Sequence, residues 1–453
     1  MKIVVCVKYC RGEINPFDES ALECALETGG DVTVISMGPD SVKESLSSLT
    51  RLGCSRAVLL SDSRFAGSDT LATSYTLSLA IKKINPDIVI CGRQSVDGDT
   101  GQIGPELSYL LGCSLITNVM KFGTDECETR DGKKKVCLPA VITVERIKKL
   151  RFPSIRSRVT EAEVWTSDDL GGDYKRYGLS GSSTRVIKTF KNSKDIRKCR
   201  FIDKSELFDI IKKELKTEHG KAAEYKSDIK LKNVWAVGDE AYKAAALISD
   251  DVILKEIEDP VKIAAEAAEK KPDVILWCAD TWGRAAAPVA AAALKTGLCA
   301  DCTELETDGK EMFVYRPAGG GEIYAKIKCL TKPAMATVRP DGKNIDFIIA
   351  GGKGVCGKFS ELRKFAEKMG ADIGASRGIV DSGEAPYSMQ IGLTGKNVHA
   401  KVYLSVGISG AVQHMCAVSS CDTIIAVNPD RDAPVFNYAD YGVLCKFEDL
   451  VDL

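Results

Sequence analysis

Two stretches of this chain are variants of one another, and that duplication limits the folds open to it. Residues 85–92 read NPDIVICG and residues 271–279 read KPDVILWCA. Each follows an amphipathic helical stretch, 75–84 in one case and 261–270 in the other. Each leads into a polar loop and then a helix rich in small residues, GQIGPELSYLLG against RAAAPVAAAALKTG. A turn containing DGK follows at 131–133 and at 308–310, then a matching strand, LPAVITV at 138–144 and KPAMATV at 332–338. The period is far too long for a solenoid, so it predicts two related domains. Strands alternate with helical patterns throughout, which predicts an α/β class with mostly parallel sheets.

With 453 residues the chain can build about three cores. Residues 204–216 (KSELFDIIKKELK) predict an amphipathic helix, and the polar, Lys/Glu-rich run 217–232 reads as a linker. A second boundary falls at 340–343, before a strand over 345–350. The expected units are 1–216, 233–342 and 343–453. The 62 basic and 63 acidic residues balance, so net charge implies no nucleic-acid partner. No run is long and apolar enough to predict a membrane span, and MKIVVCVK reads as an opening strand rather than a leader. Most of the 17 cysteines sit alone in apolar runs, as buried thiols do in a reducing compartment, so a cytoplasmic location is expected. Cys299 and Cys302 have C-x-x-C spacing but no second pair, and no metal site is assigned to them.

Residues 374–442 concentrate the chemistry. Three apolar runs there each stop at a small, Gly- or Ser-rich turn. Strands ending in glycine before a helix present free N–H groups to phosphate. Ser376 and Arg377 follow Gly374 and Ala375, the run 402–406 ends in Gly407, Ser409 and Gly410 with a helical stretch from Ala411, and the run 423–427 ends in Asn428. Hydroxyls, a guanidinium, an amide and backbone N–H groups thus meet at one sheet edge, which suits a large phosphorylated cofactor. No nucleophile–base–orienter trio accompanies them, which argues against hydrolysis. His414, one of 3 histidines, reads as a cap, a surface residue or a ligand contact, and Arg377 as a ligand cation or a surface ion pair. Gly351–Gly357 (GGKGVCG) is a looser glycine loop after the 345–350 strand.

The first unit has its own loop, GRQSVDGDTGQIGP at 92–105. Asp97, Asp99 and Thr100 could face a ribose or phosphate, with Gly98, Gly101 and Gly104 admitting a ligand to the backbone. The alternative is an acidic surface loop shaped by turn chemistry. The run Asn15, Pro16, Phe17, Asp18 is expected to cap a helix over 19–27.

The motifs GASR, GLTGK, GISGAVQH, NPDRDAPVF and ADYG resemble the FAD domain of the electron transfer flavoprotein α subunit. GLCADCTELE, RPAGGGEIYAKI and PAMATVRP resemble that subunit's first domain. Residues 1–216 resemble the β subunit through IVVCVK, NPFDESALECALE, the DGDTGQIGPELSYLLG loop, LRFPSI and GLSGSSTRVIKTF. The resemblance implies both subunits fused in one chain: two related adenine-nucleotide-hydrolase-like parallel-sheet domains plus a C-terminal doubly wound FAD-binding domain. It also implies an electron carrier between a dehydrogenase, of the acyl-CoA type or another, or NADH, and an acceptor such as a quinone oxidoreductase, ferredoxin or flavodoxin.

By that resemblance the FAD contacts are Lys353, Ser376, Arg377, Ile391, Gly392, Leu393, Thr394, Ser409, Gly410, Ala411, Val412, Gln413, His414 and Asn428. Arg377 falls near the flavin ring, Thr394 near N5, and the segment from Ser409 to His414 at the ring's carbonyl edge and the pyrophosphate. A cation and donors beside N1–C2=O stabilise negative charge on the ring. The β-type loop implies a second nucleotide, FAD or AMP, contacted by Cys6, Asn15, Phe17, Asp97, Gly98, Asp99, Thr100 and Gln102. The sequence DGDT with Gly101 resembles the roomier FAD type, which goes with electron bifurcation. The chain departs from the pattern in several ways, among them a nearly absent hairpin before NPFD, with only residues 9–14 there, and a short first part of the α-type domain. Leu393 replaces a glutamine, Lys353 replaces a bidentate arginine with a point charge, and RSRVTEAEVW replaces a lysine-rich partner loop.

Overall fold

The computed structural model describes residues 1–10, 12–129, 131–191, 197–217, 230–318, 323–338, 344–392, 395–396, 398–419 and 421–451. The expected linker falls largely outside these, as does the 340–343 boundary. The chain divides into two units. One comprises Met1–Lys188, Lys226–Gly319 and Ala325–Val338, and the other Thr189–Tyr225, Gly320–Tyr324 and Arg339–Leu453.

The duplication is visible in the first unit as two parallel sheets. In the nine-stranded sheet the order is Glu163–Trp165, Arg56–Leu60, Asp31–Met37, Lys2–Cys6, Ile88–Gly92, Ala140–Val144 and Ser114–Lys121, followed by the hairpin Glu126–Thr129 and Gly132–Lys135. The first seven strands are parallel. In the second sheet the order is Val252–Lys255, Val234–Val237, Val274–Cys278, Ala334–Val338 and Leu298–Cys302, again parallel. It matches the third to seventh strands of the first. Central strands are buried on both faces, which is why they read as continuous apolar runs rather than alternating ones.

Unusual backbone conformations repeat as well. Asn85 (φ 54°) and Lys271 (φ 51°) end the helices before the paired strands in the left-handed region. Asn118 (φ 57°) and Asp301 (φ 53°) occupy equivalent bulges, and their N–H groups donate to Thr143 and Thr337 at 3.2 and 2.8 Å. Non-glycine residues rarely adopt that conformation, so its recurrence follows the ancestral backbone rather than the local side chain. The first of these helices runs over Thr70–Ile84, longer than the apolar period suggests, because the Asp69 carboxylate caps it through the Ala72 N–H at 3.0 Å.

A four-stranded sheet, ordered Thr184–Lys191, Ile323–Cys329, Met312–Ala318 and Glu304–Thr307, joins a strand from before the linker to three from after it. Gly297 lets the chains approach there, since a Cβ on it would sit 2.4 Å from the Ser183 carbonyl oxygen.

The second unit is a six-stranded parallel sheet, ordered Arg200–Ile202, Tyr441–Val443, Thr423–Val427, His399–Val406, Asn344–Gly351 and Asp372–Ala375. The helix Leu207–Lys216 buries Leu207 and Ile211 in its core. The strand Arg200–Ile202 and this helix therefore pack with the C-terminal segment. From Asn344–Gly351 the chain passes to Asp372–Ala375 on one side and then to His399–Val406 on the other. The crevice at the carboxyl ends of Asn344–Gly351 and His399–Val406 is the topological switch point, where doubly wound sheets take ligands.

Candidate functional site

Glycine sets the spacing at that switch point. The Gly354 N–H donates to the Gly407 carbonyl at 2.9 Å, and a Cβ on Gly352 would lie 2.2 Å from the same oxygen. Gly407 (φ 63°) and Gly410 (φ 90°) turn the chain out of the sheet, and Gly410 packs so closely that a Cβ would lie 2.0 Å from the Val435 nitrogen. The exposed Ser409 lies between the two glycines, and a helix of only four residues follows, Val412–Met415. Among the described residues, no backbone carbonyl accepts from the N–H groups of Gly410, Ala411 or Val412.

Neighbouring loops close on this turn. Gln390 and Ile391 extend alongside Ala375, with the Ile391 N–H on the Ala375 carbonyl at 2.8 Å. Ile391 is buried in the core, and the vacant Cβ position of Gly392 is 3.3 Å from the Gln413 carbonyl oxygen. The Lys353 stem lies along Gly378, where a Cβ would meet its Cγ at 2.7 Å. Lys353 is thereby held against the first turn of the helix Arg377–Asp381. The Arg377 guanidinium also pairs with Asp381 at 3.3 Å, one helical turn on. Leu393 and Thr394 lie outside the described residues.

His414 is neither a cap nor a surface residue. It is buried, and its Nε2 shares a 2.6 Å hydrogen bond with the Tyr403 hydroxyl. Burial, opposed by the Ile391 backbone, lowers its pKa to about 4. It is therefore neutral near pH 7, and the cations of the site are Lys353 and Arg377. Its buried Nδ1 makes no close hydrogen bond among the described residues, with the Ile391 backbone near enough only to act weakly on the ring. An orphaned imidazole nitrogen fits a ligand carbonyl, and the glycine turn beside two cations fits a pyrophosphate. Asn428 is spent locally, donating to the Ile408 carbonyl at 3.0 Å and accepting from the Asp430 N–H at 2.9 Å.

The 92–105 loop sits at the equivalent crevice of the first unit, where Lys2–Cys6 and Ile88–Gly92 run side by side and Cys6 pairs with Cys91. The Asn15 side chain makes no cap bond. It reaches the loop instead, donating to the Gln94 carbonyl at 2.9 Å and accepting from the Val96 N–H at 3.3 Å, while Pro16 opens the helix Pro16–Glu27. Phe17 is buried under the Arg93 guanidinium. Lys8 binds Asp97 at 2.9 Å and, against the cost of burial, holds its carboxyl down at about 2. Asp99 is buried in the left-handed region (φ 51°), with its carbonyl on Arg316 at 3.1 Å and its carboxylate on Gln94 at 3.0 Å. Gly98 and Thr100 remain partly exposed, and Gln102 is buried.

Three loop supports escaped the sequence reading. Asp18 accepts from the N–H groups of Lys8 and Gly92 at 2.8 and 3.2 Å, and burial pushes its carboxyl up to about 7. Arg316 and Glu106 come from distant or helical positions that no local motif marks. Around the C-x-x-C pair, Cys302 donates to the Cys299 carbonyl at 3.5 Å, and the Cys299 sulfur lies 3.7 Å from Cys329. Among the described residues no helix is long and apolar enough to cross a membrane.

Residues 3–165 and 231–354 match the Electron transfer flavoprotein domain, and residues 343–419 match the Electron transfer flavoprotein FAD-binding domain. The chain is 38% identical to the electron transfer flavoprotein subunit alpha of Thermoanaerobacterium thermosaccharolyticum over 229 residues, covering 40% of this chain and 69% of that protein. It is 39% identical to the electron transfer flavoprotein subunit beta of Clostridium acetobutylicum over 226 residues, covering 46% and 86%. Protein FixA of Azorhizobium caulinodans is 38% identical over 243 residues, covering 46% and 86%. The chain therefore belongs to the electron transfer flavoprotein family and joins counterparts of its β and α subunits in one polypeptide.

Proposed function

We propose that the chain carries electrons between a dehydrogenase or NADH and a second redox protein, through an FAD held at the switch point of the second unit. The observation that supports this most is the meeting of Lys353, Arg377, the Gly407–Gly410 turn and the orphaned His414 nitrogen at one sheet edge. When bound, FAD supplies one- and two-electron chemistry. The residues do the rest in this reading. N–H groups from Gly410 to Val412 bind phosphate, Arg377 faces the ring, and His414 offers a neutral hydrogen bond. Ile391 and Gly392 shape the wall, while Asn428 holds the adenosine-side turn.

A second nucleotide occupies the 92–105 loop in this proposal, FAD rather than AMP, and the two-flavin form would support bifurcation. Denaturing release and chromatography should yield two FAD per chain. One FAD with AMP would replace the bifurcating reading with a simple carrier. A colourless protein that FAD cannot reconstitute would sink the electron-carrying role.

Phe152 and Ile155, 95% and 98% exposed, stand on a loop rooted by the Arg151–Glu23 ion pair at 2.7 Å. We assign them to partner docking. Phe152→Ser with Ile155→Ser should slow reduction by a dehydrogenase about tenfold or more, as loss of apolar anchors does, at unchanged flavin content. Equal rates would remove this loop from the docking surface.

A further inference from the structure

Beneath the 92–105 loop lies a buried chain of polar groups that electron carriage does not itself require. Glu106, in the first turn of the helix Ile103–Leu111, is 1% exposed. Its Oε2 accepts from the Ser74 hydroxyl at 2.7 Å, and its Oε1 lies 3.0 Å from the Thr70 hydroxyl. That hydroxyl is also 2.6 Å from Oε1 of the buried Gln102, whose Nε2 donates to the Leu298 carbonyl at 3.0 Å. Leu298 belongs to the second parallel sheet, so the chain of contacts ties the loop to it.

The protons along this chain can be counted. A carbonyl oxygen only accepts, so the Gln102 amide must turn Nε2 to Leu298 and Oε1 to Thr70. Oε1 also only accepts, so the single hydroxyl proton of Thr70 goes to Gln102. The Thr70–Glu106 contact then needs a proton from Glu106. An ionised Glu106 would leave two acceptors facing each other at one of the part-buried Thr70 contacts, an arrangement that costs free energy.

The surroundings agree. Burial and the charge of Asp69 push the Glu106 carboxyl up to about 8, against the hydrogen bond from Ser74 and the contact with Thr70. The Asp69 carboxylate itself accepts from the N–H groups of Ala72, Ser183 and Thr184. On the adjoining helix Thr281–Leu294, Arg284 is engaged with Asp301 at 2.9 Å.

We infer that Glu106 is a neutral carboxylic acid in the folded protein and acts as a positioning residue, fixing the 97–102 nucleotide loop through Thr70 and Gln102. The positioning role rests on the proposed second nucleotide, whereas the protonation state does not. The tight loop carries the proton and the loosened loop lacks it. Affinity is therefore level below about pH 8 and falls above it, at most tenfold per pH unit.

The test uses full-length, FAD-loaded protein freed of its second nucleotide. AMP and FAD are titrated from about pH 6 to about pH 10, alongside infrared spectra of the carboxylic-acid carbonyl band. Glu106→Gln keeps both contacts, since its amide donates to Thr70 and accepts from Ser74, but it cannot ionise. Wild type should show the acid band at neutral pH and lose affinity about tenfold over one pH unit on the alkaline side. Glu106→Gln should lack the Glu106 band and show no loss of affinity above about pH 8, beyond the range in which the neighbouring Asp18 titrates. A wild type without the band at neutral pH overturns the neutral acid. A band with parallel affinity profiles in both proteins overturns the positioning role. If neither AMP nor FAD binds a second site, that role falls together with the second-nucleotide reading, and the band alone decides the charge of Glu106.

Discussion

Replacing Gly352 with alanine is expected to leave the protein without flavin and to destabilise the second unit by about 3 kcal/mol or more. The new Cβ would lie 2.2 Å from the Gly407 carbonyl oxygen and 2.5 Å from the Ile408 Cα. Both are backbone atoms, so neither can swing aside like a side chain. The strain must separate the ends of the two strands that form the switch point, and with them the Gly407–Gly410 turn. Gly357→Ala is the control. Gly357 has φ 81° but nothing within 4 Å of a Cβ, so the change should cost about 1 kcal/mol of backbone strain and spare the flavin. Thermal unfolding and flavin absorbance per chain measure both outcomes. Full flavin retention by Gly352→Ala would place the cofactor elsewhere.

Acid should loosen the second unit through His414. Its folded pKa, about 4, lies below the ordinary value of 6.5, so the unfolded chain binds more protons between the two. The stability is fully present above about pH 6.5 and is lost as pH falls through about 4, for a total of about 3 kcal/mol. Chemical unfolding of wild type and His414→Gln across this window should show the wild type falling more steeply by about that amount. Parallel profiles would mean that His414 is already protonated, and the neutral hydrogen bond assigned to it would be withdrawn. The Tyr403 hydroxyl is the nearest partner, and Tyr403→Phe should lower stability at every pH by removing the 2.6 Å bond.

Local pattern carried much of the fold. The repeats at 85–92 and 271–279 became central strands at equivalent places in two parallel sheets, and the glycine turns after 351 and 406 fell at one crevice. Apolar runs and glycines are local signals with one dominant physical outcome. The site's second layer is different. Asn15 looked like a helix cap, because Asn before a helix usually is one, yet its amide satisfies the 92–105 loop instead. Glu106 carries no local mark in the sequence, and packing against Ser74 and Thr70 removes it from water. His414 needed Tyr403, eleven residues earlier on a strand, before its charge state could be read. Asn118 and Asp301 adopt left-handed bulges that neither residue type demands, and only the paired sheets reveal the correspondence. Partners that meet through tertiary contact leave no spacing to find.

The strand Thr184–Lys191 occupies the edge of a sheet whose other three strands come from residues 304–329. During synthesis it emerges well before any neighbour it can pair with. The N-terminal sheet can form early because its strands are contributed by residues 2–165, whereas this edge must wait for Ile323–Cys329. Closing so long a loop is slow compared with helix or hairpin formation. The nascent chain thus passes through a stage with an unpaired strand, the kind of species chaperones hold back from aggregation. Fusion fixes the ratio of the two halves at one to one and makes their encounter independent of protein concentration.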